Sequence, residues 1–400
     1  MNTLDEPGQP SVPGASSKFS DVDAQVRVLL DDFANHEYAT ERILAWGERA
    51  ITPLCRYLRD GAQVVPQARL LAVSMLARFH SAQARQGLRD VLHGTRLDEL
   101  PMAWQNAEYE VKDTAVRLLL THSYPEQLTD VVYAVEKERL PSAVAMAGTL
   151  GLSSLGPILV SMLQDDVLER AAGHSLKVLG TPGETAVLQA LPGLLENAQS
   201  QVRSRLAVIR ALLLLHRHPP ADTPSWVVER TGKDAHPAVR AAGAILLDEL
   251  NDDAIDALVH GALCEDASLA SASRERLADQ GLAFVNAALA ALRRNAEPDI
   301  YGNRHPLGRS AIRWLVTEVL QRSQTDTRAR QAVMADMDPD LLAVGLASMQ
   351  SPTEAWLREM GRHPAAAVRE AALALSRNGL KANTLFSRWM ARRYRHQDRH

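Results

Sequence analysis

Two cysteines in 400 residues, Cys55 and Cys264, exclude a disulfide scaffold. Each falls in an apolar helical pattern and reads as a small buried hydrophobe, which suits a reducing compartment. Aromatic side chains make up 4% of the chain against 46% hydrophobic residues overall. The core must therefore be built of Ala, Leu and Val, which fits close helix packing better than a sheet sandwich. No apolar run approaches the ~20 residues a membrane-crossing helix needs; the densest lies at 211–215. Residues 1–20 hold Pro7, Pro10 and Pro13 among Gly and Ser, with no apolar segment of the signal-peptide kind. We expect a flexible leader over 1–20 and a cytoplasmic protein. Lysine is also scarce, at positions 18, 112, 137, 177, 233 and 381 alone. Arginine in its place, with abundant alanine, suggests a bacterial source of high GC content.

Motifs of cofactor and metal chemistry are missing too. The chain has no Gly-rich phosphate loop, no G-x-S-x-G and no H-E-x-x-H. His216 and His218 are two residues apart, a spacing that does not share a helix face, and no Cys or carboxylate cluster accompanies them. No catalytic residue, metal ligand or cofactor is expected.

Charge is uneven. Residues 301–400 hold 16 Lys/Arg and 9 Asp/Glu, leaving 28 against 39 in the rest of the chain. A chain acidic over three quarters of its length does not suit a general nucleic-acid groove. Its basic end remains the place for a local anionic contact.

What the chain does have is a recurring phrase: a branched apolar residue, a charged residue, two variable positions and a small residue. It reads VRAAG from Val239 to Gly243 and VREAA from Val368 to Ala372. Looser copies run from Val111 to Ala115, Leu168 to Ala172 and Val202 to Leu206. The first and fifth positions share one helix face, and a small residue there lets a neighbouring helix approach closely. The charged residue should point away, to solvent or to an acidic neighbour. Turn signals cut the chain into ten or eleven helical pairs. Gly180-Thr181, Asn251-Asp252 and Ser323 to Asp326 are among them, and Pro125 should start a helix, where its missing N–H is harmless. Three stretches break the rhythm: 98–108, 219–225 and 294–306.

With His236-Pro237 and His363-Pro364 set just before it, the phrase resembles the HEAT repeat, in the bacterial short form of phycobilisome-lyase-like proteins. The resemblance covers most of residues 21–395. It implies an all-α, right-handed α-solenoid of roughly ten HEAT-like hairpins over residues 21–380, with a concave face that binds another macromolecule. Residues 381–400 read as a basic C-terminal capping helix and tail.

Enzymes are also built on such repeats. The diiron hydroxylases of deoxyhypusine need repeated His-Glu pairs, and here His36-Glu37 stands alone, with His174-Ser175 at the matching repeat position. Glycosylases of DNA bases need a cationic groove, aromatic side chains and a carboxylate; Trp104, Asp113 and Arg117 supply such residue types close together. Nothing marks a bilin site of the chromophore lyases. The leading expectation is a non-catalytic scaffold or adaptor that binds another protein; the rival is an enzyme of the glycosylase or chromophore-lyase type. Candidate binding residues lie where the array departs from its rule: Trp104, then Arg304, Arg313 and Trp314. The C-terminal segment adds Arg388, Trp389, Arg392 and Arg393, whose amphipathic pattern serves either a cap or contact with an anionic partner.

Overall fold

A computed structural model of the chain describes residues 16–32, 35–59, 65–217, 223–294, 297–298, 304–305, 307–349 and 352–378, with no account of the side chains of 16–21, 297–298, 304–305 and 377–378. The regular elements of the described residues are all helices, apart from one two-residue antiparallel ladder that pairs Glu297 with His305 and Pro298 with Arg304. No described helix is long and apolar enough to cross a membrane. The chain divides into two compact units, residues 1–183 and 184–400.

The first unit holds α1 (Ser16–Asp31), α2 (His36–Ala45), α3 (Ile51–Arg59), α4 (Pro66–Leu76), α5 (Ala82–Leu92), α6 (Met102–Leu119), α7 (Gln127–Tyr133), α8 (Pro141–Thr149), α9 (Gly156–Ser161) and α10 (Glu169–Leu179). A π-helical turn, Ala134–Glu138, continues α7 and ends at Arg139 in the left-handed region (φ 53°). Helix α11 (Thr181–Ala198) begins three residues before the division. The second unit continues with α12 (Val202–Arg217), α13 (Ser225–Gly232), α14 (Pro237–Ala244), α15 (Asp252–Leu263), α16 (Ala267–Leu277) and α17 (Gly281–Arg293). It closes with α18 (Arg309–Ser323), α19 (Thr327–Asp336), α20 (Pro339–Ser348), α21 (Glu354–Met360) and α22 (Ala366–Asn378).

Local chemistry starts these helices. Proline opens α4, α8, α14 and α20, where its missing N–H would have no intrahelical acceptor. Side chains cap others. Asn251 accepts from Ala254 N at 2.8 Å, Asp266 from Leu269 N at 2.8 Å, and Asp326 from Arg328 N and Ala329 N at 2.8 and 3.2 Å. Two expected boundaries move. The irregular stretch at 98–108 becomes helical from Met102, with its first turn exposed and its buried face beginning at Glu108. Helix α7 starts at Gln127, after a turn at Pro125 and Glu126, rather than at the proline.

Within each unit helices contact the next in sequence and often the next but one: α3 with α4 and α5, α4 with α5 and α6, α14 with α15 and α16, α17 with α18 and α19. The phrase explains this packing. Val111, Leu168, Val239 and Val368 are buried, as are Ala115, Ala172, Gly243 and Ala372 four positions on. A Cβ on Gly243 would overlap the Thr231 side chain, and one on Gly148 would overlap the Ser175 backbone, so α13–α14 and α8–α10 are in contact closer than alanine allows. The copy at 202–206 departs from the rule: Val202 and Leu206 are half-buried, and Ser204, Ala207 and Val208 form the buried face.

Candidate functional site

The charged position of the phrase is largely spent on the fold. Arg240 donates to Asp234 O (2.8 Å) and Ala235 O (3.0 Å), and Arg369 repeats the arrangement on His363 O (2.8 Å) and Pro364 O (2.5 Å). In both, the histidine before the proline accepts from the backbone two residues on, His236 Nδ1 from Ala238 N and His363 Nδ1 from Ala365 N. Other cations close the C-terminal ends of neighbouring helices. Arg274 donates to Ala262 O of α15 (2.9 Å), Arg322 to Leu277 O of α16 (2.6 Å) and Arg330 to Ser323 O of α18 (3.2 Å). Such carbonyls lack intrahelical donors and carry the negative end of the helix dipole, so a guanidinium satisfies both needs.

Lys112 corrects the expectation that this position faces solvent. It is fully buried, donating to Glu138 Oε1 at 2.8 Å and to Leu92 O, the last residue of α5, at 3.1 Å. Glu138 in turn accepts from Tyr133 Oη (3.1 Å) and from Leu97 N (3.2 Å). One helical turn before Lys112, the buried Glu108 pairs with the buried Arg69 of α4 through Nη1 and Nη2. Nearby, Asp130 (2% exposed) takes a bidentate Arg89, with Nε at 2.7 Å and Nη2 at 3.1 Å, and His93 Nε2 at 2.8 Å. Burial alone would raise the Asp130 carboxyl, but the bonds from Arg89 and His93 outweigh it and hold the group below its ordinary range.

Beside Arg69 lies a cleft of about 150 Å³ lined by Cys55, Arg59, Arg69, Asp90, Thr95 and Glu108. Burial, with Asp90 adding to it, raises the Cys55 pKa and keeps the thiol protonated, which is the wrong direction for a nucleophile.

The Arg69–Glu108 pair also sets a register. It joins the first turn of α4 to the second turn of α6, while His80 and His122, just beyond the two C-terminal ends, bring their rings to 5.4 Å. The two helices therefore run side by side in the same direction. One turn ahead of Arg69 stands Val65 and one turn ahead of Glu108 stands Trp104, both exposed, and Met102, the first residue of α6, is 85% exposed at the same end of that helix. Three large apolar side chains thus share one end of this helix pair.

Of the residues expected from sequence, Trp104 stands on this end of α6. Asp113 and Arg117 do not converge with it. Asp113 is nine residues on, roughly 13 Å along the axis, and its carboxylate accepts from Ser142 N (2.8 Å) and Ser142 Oγ (2.9 Å) at the start of α8. Arg313 is exposed on α18. Trp314 packs edge-on to the buried Phe284 with centroids 6.1 Å apart, and Arg274 covers its ring at 4.6 Å. Arg322 covers Phe284 at 3.9 Å, so the Trp314 ring belongs to an interhelical stack. Arg304 lies in the two-residue ladder and its side chain is outside the described residues, as are Arg388, Trp389, Arg392 and Arg393. No group of three or more His, Cys, Asp or Glu side chains suited to a metal occurs among the described residues.

Sequence reasoning missed the Lys112–Glu138 pair. Its signal was Lys112 itself, a lysine at the phrase position that carries arginine in the two best copies of an arginine-rich chain. No protein-family model matches the chain, and no curated protein matches it.

Proposed function

We propose that the chain is a HEAT-like α-solenoid of about ten right-handed hairpins that works in the cytoplasm of a bacterium as a non-catalytic scaffold or adaptor binding another protein. Support for the repeat reading comes from the arginine clamps at Arg240 and Arg369, 129 positions apart, each donating to the carbonyls six and five residues before it, although the spacing is His-Pro-x-x-Arg in the first and His-Pro-x-x-x-x-Arg in the second. The binding reading is carried by one observation: Val65, Met102 and Trp104 stand exposed together at one end of the α4–α6 pair. Exposed aromatic and Met side chains so placed are the anchors that protein interfaces favour. The partner is a protein that buries apolar side chains against them.

The test is a capture experiment from the host with the parent protein and with the double variant M102S/W104S. We expect the variant to keep the parent's helical circular dichroism and melting temperature and to lose at least tenfold of the retained partner. Equal retention by both proteins, or retention of nucleic acid with no protein, would overturn the proposal. No arrangement of side chains among the described residues favours the enzyme reading over this one.

A further inference from the structure

A second cleft, of about 160 Å³, opens at the opposite end of the α4–α6 pair, between the turn that follows α4 and the turn that follows α6. Its polar rim holds His80, Arg85 and His122, with the hydroxyl-bearing Ser81, Thr121 and Ser123. No carboxylate lines it, so the charged and titratable groups facing the cleft are two imidazoles and one guanidinium. Its floor is apolar, formed by Phe79 and leucines of α4, α5 and α6.

The cations are available. Most basic side chains described above are bound to carbonyls or carboxylates, but Arg85 makes no side-chain hydrogen bond or ion pair among the described residues, and neither does His80. His122 is oriented rather than consumed. Thr121 Oγ1 has one proton and donates it to Leu118 O at 2.6 Å, so at 2.8 Å from His122 Nδ1 it must accept. Nδ1 therefore carries the hydrogen, and Nε2 is the nitrogen left to take a second proton and donate to an anion. The Ser81 hydroxyl is already engaged with Ala84 N at 3.1 Å, so side chains rather than the start of α5 would read the ligand.

We infer that this cleft binds an apolar ring that bears a carboxylate. The size fits, since a cavity of ~150 Å³ holds a benzene-sized group. The chemistry fits as well: an apolar floor takes the ring, and an uncompensated cationic rim takes the charge. Free aromatic acids and the C-terminal phenylalanine of a polypeptide share this chemistry. The site stands independently of the scaffold proposal, because it shares no residue with Val65, Met102 or Trp104.

The experiment titrates phenylacetate into the full-length protein, following the imidazole NMR signals of His80 and His122. Saturable shifts of both are expected. R85Q and H122Q should each weaken binding at least fivefold while leaving the melting temperature within a few degrees of the parent. A peptide ending in phenylalanine, as free acid and as amide, separates the two sources: tighter binding of the acid peptide assigns a polypeptide terminus, and binding of phenylacetate alone assigns a small acid. Phenylacetamide binding as well as phenylacetate, unchanged affinity in both variants, or no imidazole shift would overturn the inference.

Discussion

At the scale of single residues, the cost of burying charge decides which side chains matter. Lys112 and Glu138 are both removed from water, and each is tolerated because the other neutralises it and the remaining bonds go to Leu92 O, Tyr133 Oη and Leu97 N. K112A strands a buried carboxylate and should cost about 3–5 kcal/mol in urea unfolding. K112M/E138Q keeps an acceptor for Tyr133 and Leu97 without a charge, and should recover more than half of that loss. His363 gives the opposite lever. Its burial first, and the charge of Arg369 second, lower its pKa, and its Nδ1 serves as a backbone acceptor only while unprotonated. The folded state thus binds fewer protons than the unfolded one below the ordinary histidine range. Its stabilising effect is complete above about pH 6.5 and declines as pH falls from there toward the folded pKa. H363N, which can still cap but cannot titrate, should show a smaller drop in urea midpoint between pH 7.5 and pH 5.5 than the parent. The sequence pattern pointed to the two His-Pro turns, but not to which nitrogen would be used, because that depends on the fold of the turn.

At the scale of elements, small residues fix how closely helices meet. Gly243 faces Thr231 across α13 and α14, and any Cβ there collides with that side chain. G243A should destabilise by about 1–3 kcal/mol, the usual cost of overpacking, measured as a shift in thermal midpoint. T231A should restore little, because the Thr231 Cβ itself lies within the overlap. Several helix boundaries were legible: Asn251 and Asp326 cap the helices that follow them and Gly180 ends α10 at positive φ, whereas Pro125 does not open α7. Two local features were not. The start of α6 at Met102 and the π turn at Ala134–Glu138 are set by Arg69–Glu108 and Lys112–Glu138, contacts that span 39 and 26 positions and leave no periodic trace.

At the scale of the whole molecule, one helical phrase returning at intervals limits the chain to an all-α architecture, and each described unit has that architecture. The capping role proposed for the tail is tested at this scale. Leu373 of α22, the last described helix, is half exposed. If residues 381–400 cap the array, ending the chain at Leu380 should lower solubility and raise binding of an apolar dye; a truncated protein as soluble as the parent would count against a cap. By itself the sequence determined helix class, several helix boundaries, the buried Val and Ala face of the phrase and the absence of a membrane-length apolar run. These depend on neighbours within a few residues, where periodicity and capping act. Only the tertiary structure decided that Lys112 is buried, that Trp314 is enclosed by Phe284 and Arg274, that Trp104 shares an exposed end with Val65, and that Arg85 faces a cleft with no carboxylate. Each of those depends on which distant turn arrives beside it, and burial, pairing and electrostatic compensation are properties of that arrival.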